Sequence, residues 1–377
     1  MAEKRKLDGY QPFVRQVGHL SSLIVGACVL THAVVMDVKP VQAQFYKDRN
    51  VTMMLNYGVG GTTDTEGRLF ARHLSRHLAG NPPVVVVNRP GAGGLIGTNQ
   101  LGLATKPDGQ TFGFFTMDVT PPILGDPALR FNYHDFTVIA GVSQVSIAIG
   151  RTDIPPGMAR VSDIAKAAEL VAGGYGPTSD VTMRMRLLLE TMDVKHRIIY
   201  GYRSAGDLMK ALMQNELNFL ILSMSGYLTQ AEANIVKTKM GLPFWYLPRS
   251  VSVDGGYKKS DLLEKRGVRA FSVFYRDAFG KAPSGLQWEA FVYLQNLTSS
   301  LRRVVVMPPG SPDAAVSELR AAFEALGEDP AFIAEYEKIV GERPELVSAQ
   351  EGQAILGQLK QMRPELVTVI KSTLEKK

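Results

Sequence analysis

Between residues 50 and 118 the chain repeats one pattern closely enough to set its fold class. An apolar run, NVTMMLNYG (50–58), leads through a glycine turn into an amphipathic stretch at 58–78. Phe70, Leu74 and Leu78 recur there at i, i+4 and i+8, while Arg68, Arg72 and Arg76 line another side, the period of a helix with one apolar face. A second run, PVVVVN (83–88), leads into NRPGAGGLIG and a helix to about Ala104. KPDGQ (106–110) orders Pro, Asp and Gly as a turn requires, and TFGFFTMD (111–118) is a third strand. The order strand-helix-strand-helix-strand predicts a parallel sheet covered by helices.

The pattern continues less regularly. Residues 136–151 hold one or two strands, 154–172 contain a helix capped by Ser162, and 194–226 another strand-loop-helix-strand. Residues 302–307 form a strand, and Ser311 and Pro312 open a helix at its cap and first position. The last sixty residues are helical, with breaks near Gly327, Gly341 and Pro344, while 227–300 follow no clear period. A chain of 377 residues, 45% hydrophobic and 21% charged, suggests two domains. Its net charge of +6 is spread without basic runs or interleaved aromatics, which argues for a small anionic ligand and against nucleic acid.

Lys4, Arg5 and Lys6 precede an apolar run at 20–36, and Val41 and Ala43 have the spacing of a cleavage site. This predicts a secretory signal cut after Ala43; an uncleaved anchor helix and a lipidated Cys28, in Val25-Gly26-Ala27-Cys28, are the alternatives. Cys28 is the only cysteine, so cleavage leaves no disulfide, thiolate metal site or cysteine nucleophile.

Two glycine reversals could hold an anion. In the first, Gly58, Gly60 and Gly61 allow close backbone approach, and Thr63 with Glu66 have capping-box spacing. Free amides at that helix start would favour a negative group; a plain strand-to-helix turn is the bland alternative. The second, with Gly91, Gly93, Gly94 and Gly97, misses the G-x-G-x-x-G spacing because Ile96 takes the last position. Asp118 lies where a ribose-binding acid would stand, which keeps a dinucleotide-dependent oxidoreductase as an alternative. His73 and His77, four apart, could share a metal, but no H-E-x-x-H pattern is present and a solvated face is the simpler reading. There is no G-x-S-x-G elbow.

Taken in order, several stretches resemble the exported solute-binding receptors of tripartite tricarboxylate transporters, the Bug-type receptors. Asn56 to Asp64 with Gly67-Arg68 echo a glycine-rich ligand loop, and Val86 to Gly97 match V-x-N-R-P-G-A-G-G-x-x-G. Pro107-Asp108-Gly109 match P-D-G, Phe136 to Val142 echo F-x-P-V-A-x-V, Tyr200 to Ala205 echo Y-K-G-x-x-P-A, and Pro309 to Pro312 match P-A-G-T-P. The resemblance covers about 44–226 and 302–377.

It implies an α/β, two-domain periplasmic-binding-protein-like fold of type II, each domain a mostly parallel sheet flanked by helices, with the ligand cleft between. One domain would be 44–145 plus 302–377, the other 146–301. It implies a non-catalytic periplasmic receptor, without cofactor, monomeric, that captures a small carboxylate and delivers it to two membrane subunits. The ligand-binding residues it implies are Tyr57, Gly58, Val59, Gly60, Gly61, Thr62, Thr63, Asp64, Met117 and Tyr202, and, in a second loop, Ser179, Asp180, Val181 and Thr182. That second loop has lost its usual glycines, and Arg186 stands where a histidine is usual. A guanidinium fork on the carboxylate is the expectation there, an exposed arginine the alternative. A remodelled relative acting as sensor or partner-binding protein is a further reading.

Overall fold

The computed structural model describes residues 44–375, so the export signal and Cys28 lie outside the described residues. The three expected strands are β1 (Val51–Leu55), β2 (Val84–Asn88) and β3 (Thr111–Thr116). They pair in parallel as β2-β1-β3. The next strands are β4 (Thr137–Ser143) and β5 (Ser146–Arg151), separated only by Gln144 and Val145. Then come β6 (Leu170–Gly173), β7 (His196–Ile199), β8 (Phe219–Ser223), β9 (Gly241–Leu247), β10 (Arg303–Met307) and β11 (Glu345–Val347).

Two sheets result, ordered β11-β4-β10-β3-β1-β2 and β7-β6-β8-β5-β9. Both are mixed rather than mostly parallel. β10 and β11 return antiparallel in the first, and β5 is antiparallel to both β8 and β9 in the second. The parallel halves follow from helical crossovers; the antiparallel halves arise where the chain passes between sheets, at Gln144 and again before β10. Those passages touch, the Gln144 amide donating to the Ser299 carbonyl at 3.1 Å.

The longer helices are α1 (Thr62–Leu74), α2 (Asp180–Thr191), α3 (Ala205–Met213), α4 (Leu286–Ser300), α5 (Asp313–Gly327), α6 (Pro330–Val340), α7 (Ala349–Gln358) and α8 (Pro364–Glu375). Two apolar cores lie on opposite faces of the sheets, as strand alternation demands: Val304 and Val306 of β10 enter one, Val305 and Met307 the other. Each core draws on both sheets. Among the described residues no helix is long and apolar enough to cross a membrane.

Local expectations needed three corrections. α1 begins at Thr62 with Gly61 as an N-cap that makes no side-chain bond; Thr63 and Glu66 are drawn into tertiary bonds instead of a capping box. The expected helix capped by Ser162 is a 3-10 turn, Val161–Lys166, capped by Arg160. Pro312 is the cap of α5 rather than its first residue, because Ser311 bonds back to the Pro308 carbonyl.

Candidate functional site

The first glycine loop leaves the C-terminal end of β1 and starts α1, the position at which open α/β sheets place ligands. Its amides have protein partners. Gly58 donates to the Arg203 carbonyl at 3.0 Å, and Gly61 to the Gly58 carbonyl at 3.4 Å. Gly60, at φ +76, donates to Asp64 Oδ2 at 3.1 Å. The anion seated on this loop is therefore its own Asp64. Burial would raise that carboxyl, but Arg68, the Gly60 amide and Asn88 together hold it below its usual value. Thr63 bonds to Thr116 at 2.8 Å, Thr62 receives a bond from Arg303, and Val59 is exposed.

The second loop enters α2. Ser179 bonds to the Gly176 carbonyl at 3.0 Å and to Thr182 at 2.8 Å. Val181 and Met117 are core residues. Asp180 is fully buried, paired with Arg184 at 2.8 Å and accepting from Thr298 at 2.6 Å, so its charge is matched inside its own helix.

The two loops meet at Asp118, just past β3. One of its oxygens accepts from the Asp180 amide at 2.9 Å; the other lies 3.1 Å from the Tyr57 hydroxyl. That hydroxyl is also 3.0 Å from the Gly93 carbonyl. A phenol has one hydrogen. A carbonyl must accept, so both contacts are satisfied only when Asp118 carries a proton and donates to Tyr57. Burial first, and the Asp180 charge second, push the Asp118 carboxyl up to about 7, which agrees with that arrangement. NRPGAGG braces this centre: Gly94, at φ +99, would place a Cβ 3.2 Å from Asp118 and 2.8 Å from Asn56. The acid expected for a ribose is thus engaged by the two loops.

Three arginines lie around this centre. Arg303 is fully buried and grips Glu66 through Nε at 2.9 Å and Nη2 at 3.0 Å. Arg184 pairs with Asp180 and also donates to Gln295. Arg302 is different: 5% exposed, its Nε and Nη1 are buried without a hydrogen-bond partner. Burial, then Arg303 and Arg184, lower its ionisation to about 10, while Asp180 and Tyr175 oppose that shift. Arg302 in turn acts on Asp118, Tyr57 and Tyr175. The tyrosine rings meet edge to face, centroids 4.9 Å apart. Sequence reasoning missed Arg302; the available signal was two adjacent arginines at the mouth of a wholly apolar strand, where alternation sends them to opposite faces.

Other candidates lie elsewhere. Arg186 is buried, not exposed, and turns to α8, donating to the Thr373 carbonyl and to the Tyr200 hydroxyl. It is not brought to Asp118. Tyr202 donates to Glu216 at 2.7 Å. His73 and His77 are turned to carboxylates, His73 buried and His77 partly so. They pair with Glu335 at 2.6 Å and Asp329 at 3.0 Å. Among the described residues no group of three or more His, Cys, Asp or Glu is placed to hold a metal.

A family model described as "Tripartite tricarboxylate transporter family receptor" matches residues 67–240. A UPF0065 protein from the gbd 5' region of Cupriavidus necator is 36% identical over 115 residues, 29% of this chain and 34% of the relative. That match thus spans about a third of the relative's length. The periplasmic binding protein BugD superposes with a TM-score of 0.63 at 20% identity, covering 87% of this chain and 98% of BugD. MatC from Rhodopseudomonas palustris with bound malate superposes with a TM-score of 0.61 at 17% identity, covering 87% of this chain and 99% of MatC. At such identities these likenesses show the fold.

Proposed function

We propose that the chain, matched over residues 67–240 by the tripartite tricarboxylate transporter receptor model, is an exported receptor of that family that captures a small carboxylate and hands it to a membrane transporter. The carrying observation is the meeting of two loops from different sheets at one buried polar centre. Tyr57 to Asp64 lie on one side, Ser179 to Thr182 on the other, and Asp118 ties them. Contacts this close between sheets are what a cleft makes when shut. The reading takes 44–145 plus 302–377 and 146–301 as the two lobes that separate to admit ligand. Malate, bound in the MatC structure, is a dicarboxylate of the expected class. No reaction is assigned to the site.

The test is a thermal-unfolding screen against mono-, di- and tricarboxylates, with sugars and amides as controls. A ligand at a hundred times its dissociation constant stabilises by about 2.7 kcal/mol. Stabilisation by at least one carboxylate is expected; stabilisation by uncharged solutes alone overturns the assignment.

A further inference from the structure

An unpaired guanidinium inside a protein is costly, and buried polar groups are ordinarily matched. Arg302 breaks that rule with two buried nitrogens, Nε and Nη1, that have no partner. The carboxylates around it and its neighbour Arg303 are already engaged. Glu66 accepts from Arg303, Gln144 and Ser225. Asp180 accepts from Arg184 and Thr298. Asp118 accepts from the Asp180 amide, and its contact with Tyr57 calls for a proton. Three guanidiniums therefore face two matched carboxylates and one acid that is neutral over much of the range below about 7. The centre is one negative charge short.

We propose that Arg302 takes the carboxylate of the bound solute, its unpartnered guanidinium supplying the charged donor that the second loop lacks. This rests on the receptor reading above and adds the residue that recognises the charge. The guanidinium edge that matches a carboxylate is the one Arg303 turns to Glu66, Nε with Nη2, and the Nε of that edge has no partner in Arg302. Arg302 immediately precedes β10, the strand between β3 and β4, and Arg303 pairs in register with Thr116 at the end of β3. That is the sheet end from which Tyr57 and Asp118 emerge. The Tyr57 and Tyr175 rings stand within its electrostatic reach and offer apolar edges to a short carbon chain. The amides of Gly60 and Gly61 are already bonded; the charge is therefore assigned to Arg302.

The experiment compares wild type, Arg302→Met and Arg302→Lys, by calorimetric titration and melting, with malate, adipate and citrate as probes. Wild type should bind at least one probe. Arg302→Met should lose on the order of a hundredfold in affinity, as expected for removing one partner of a buried charge pair. Arg302→Lys should bind more weakly than wild type because an ammonium lacks the fork. Without ligand, Arg302→Met should melt higher than wild type, since an unmatched buried charge is gone; a merely structural arginine would give a lower melting temperature. Wild-type affinity in Arg302→Met, or a ligand-free melting temperature below wild type, overturns the assignment while leaving the receptor reading intact. Failure of wild type to bind any carboxylate overturns both.

Discussion

Asp118 shows how one residue at the centre of the site couples shape to pH. Its protonated form completes the chain from Asp118 to Tyr57 to the Gly93 carbonyl, and its ionised form does not. The folded-state value of about 7 lies above the ordinary 3.8, so the folded protein holds the proton more tightly than the unfolded chain. Stability from this residue is fully present below about pH 4 and is lost as pH rises through about 7. A rise of that size corresponds to on the order of 4 kcal/mol. Asp118→Asn should mimic the protonated acid, its amide nitrogen donating to Tyr57 and its oxygen accepting from Asp180. Urea unfolding at pH 5 and pH 8 should show wild type losing stability between the two, with the variant losing markedly less. Identical pH dependence in the two proteins would remove Asp118 as the source. None of this is legible locally. In the sequence Asp118 is visible only as an acid after a strand, because its partners Tyr57 and Asp180 stand 61 and 62 residues away.

Elements were legible where side-chain period alone decides them. The strands and helices of 50–118, and the strand-loop-helix-strand of 194–226, need no distant contact to declare themselves. Residues 227–300 hid for identifiable reasons. Tyr227–Val236 is a π-helix, whose period differs from that of an α-helix. β9 carries Pro243 opposite a register shift, tolerated because β9 is an edge strand. Trp245, Phe271, Phe274 and Trp288 are all buried in one aromatic cluster, so that segment reads as apolar without a face. His73 of α1 and His77 of the 3-10 turn after it misled for a different reason, since their partners, Glu335 and Asp329, come from α6 and its cap. Asp329 accepts from His77 at 3.0 Å and Arg76 at 2.9 Å while capping the Ala331 amide at 2.9 Å. Partial burial alone would raise this carboxyl, but these partners hold it at about 2. Its contribution is therefore present above about pH 4 and is lost as pH falls toward 2, opposite in sign to Asp118. Asp329→Ala should destabilise by about 1 kcal/mol through loss of the cap, measured by urea unfolding at pH 7, with carboxylate binding unchanged. An unaltered midpoint would show that the seam between α1 and α6 does not depend on it.

At the scale of the whole molecule, the proposed receptor function calls for the two sheets to part and close again, and Gly61 isolates that motion. Its φ of -84 is ordinary for any residue, so a side chain there meets no backbone penalty. A Cβ at Gly61 would lie 3.0 Å from the Ser204 Cβ and 3.3 Å from the Ala205 amide nitrogen, with Gly58 O also at 3.3 Å. Two of these three obstacles belong to the β7–α3 connection of the other sheet. Gly61→Val should thus act as a wedge between the sheets rather than as a lesion within either. Small-angle scattering without ligand should show a larger radius of gyration than wild type. Affinity for whichever carboxylate the screen identifies should fall at least about tenfold, or 1.4 kcal/mol, because closure is held back while Arg302 remains in place. The melting transition should stay cooperative, since the change removes no side chain from either apolar core. The combination with Arg302→Met separates two contributions: wedge and charge act on different steps, so their effects on affinity should add to within about 0.5 kcal/mol. Unchanged scattering together with unchanged affinity in Gly61→Val would mean that the contact between the first glycine loop and Ser204 is not the closing contact, and would move the moving boundary away from the two loops.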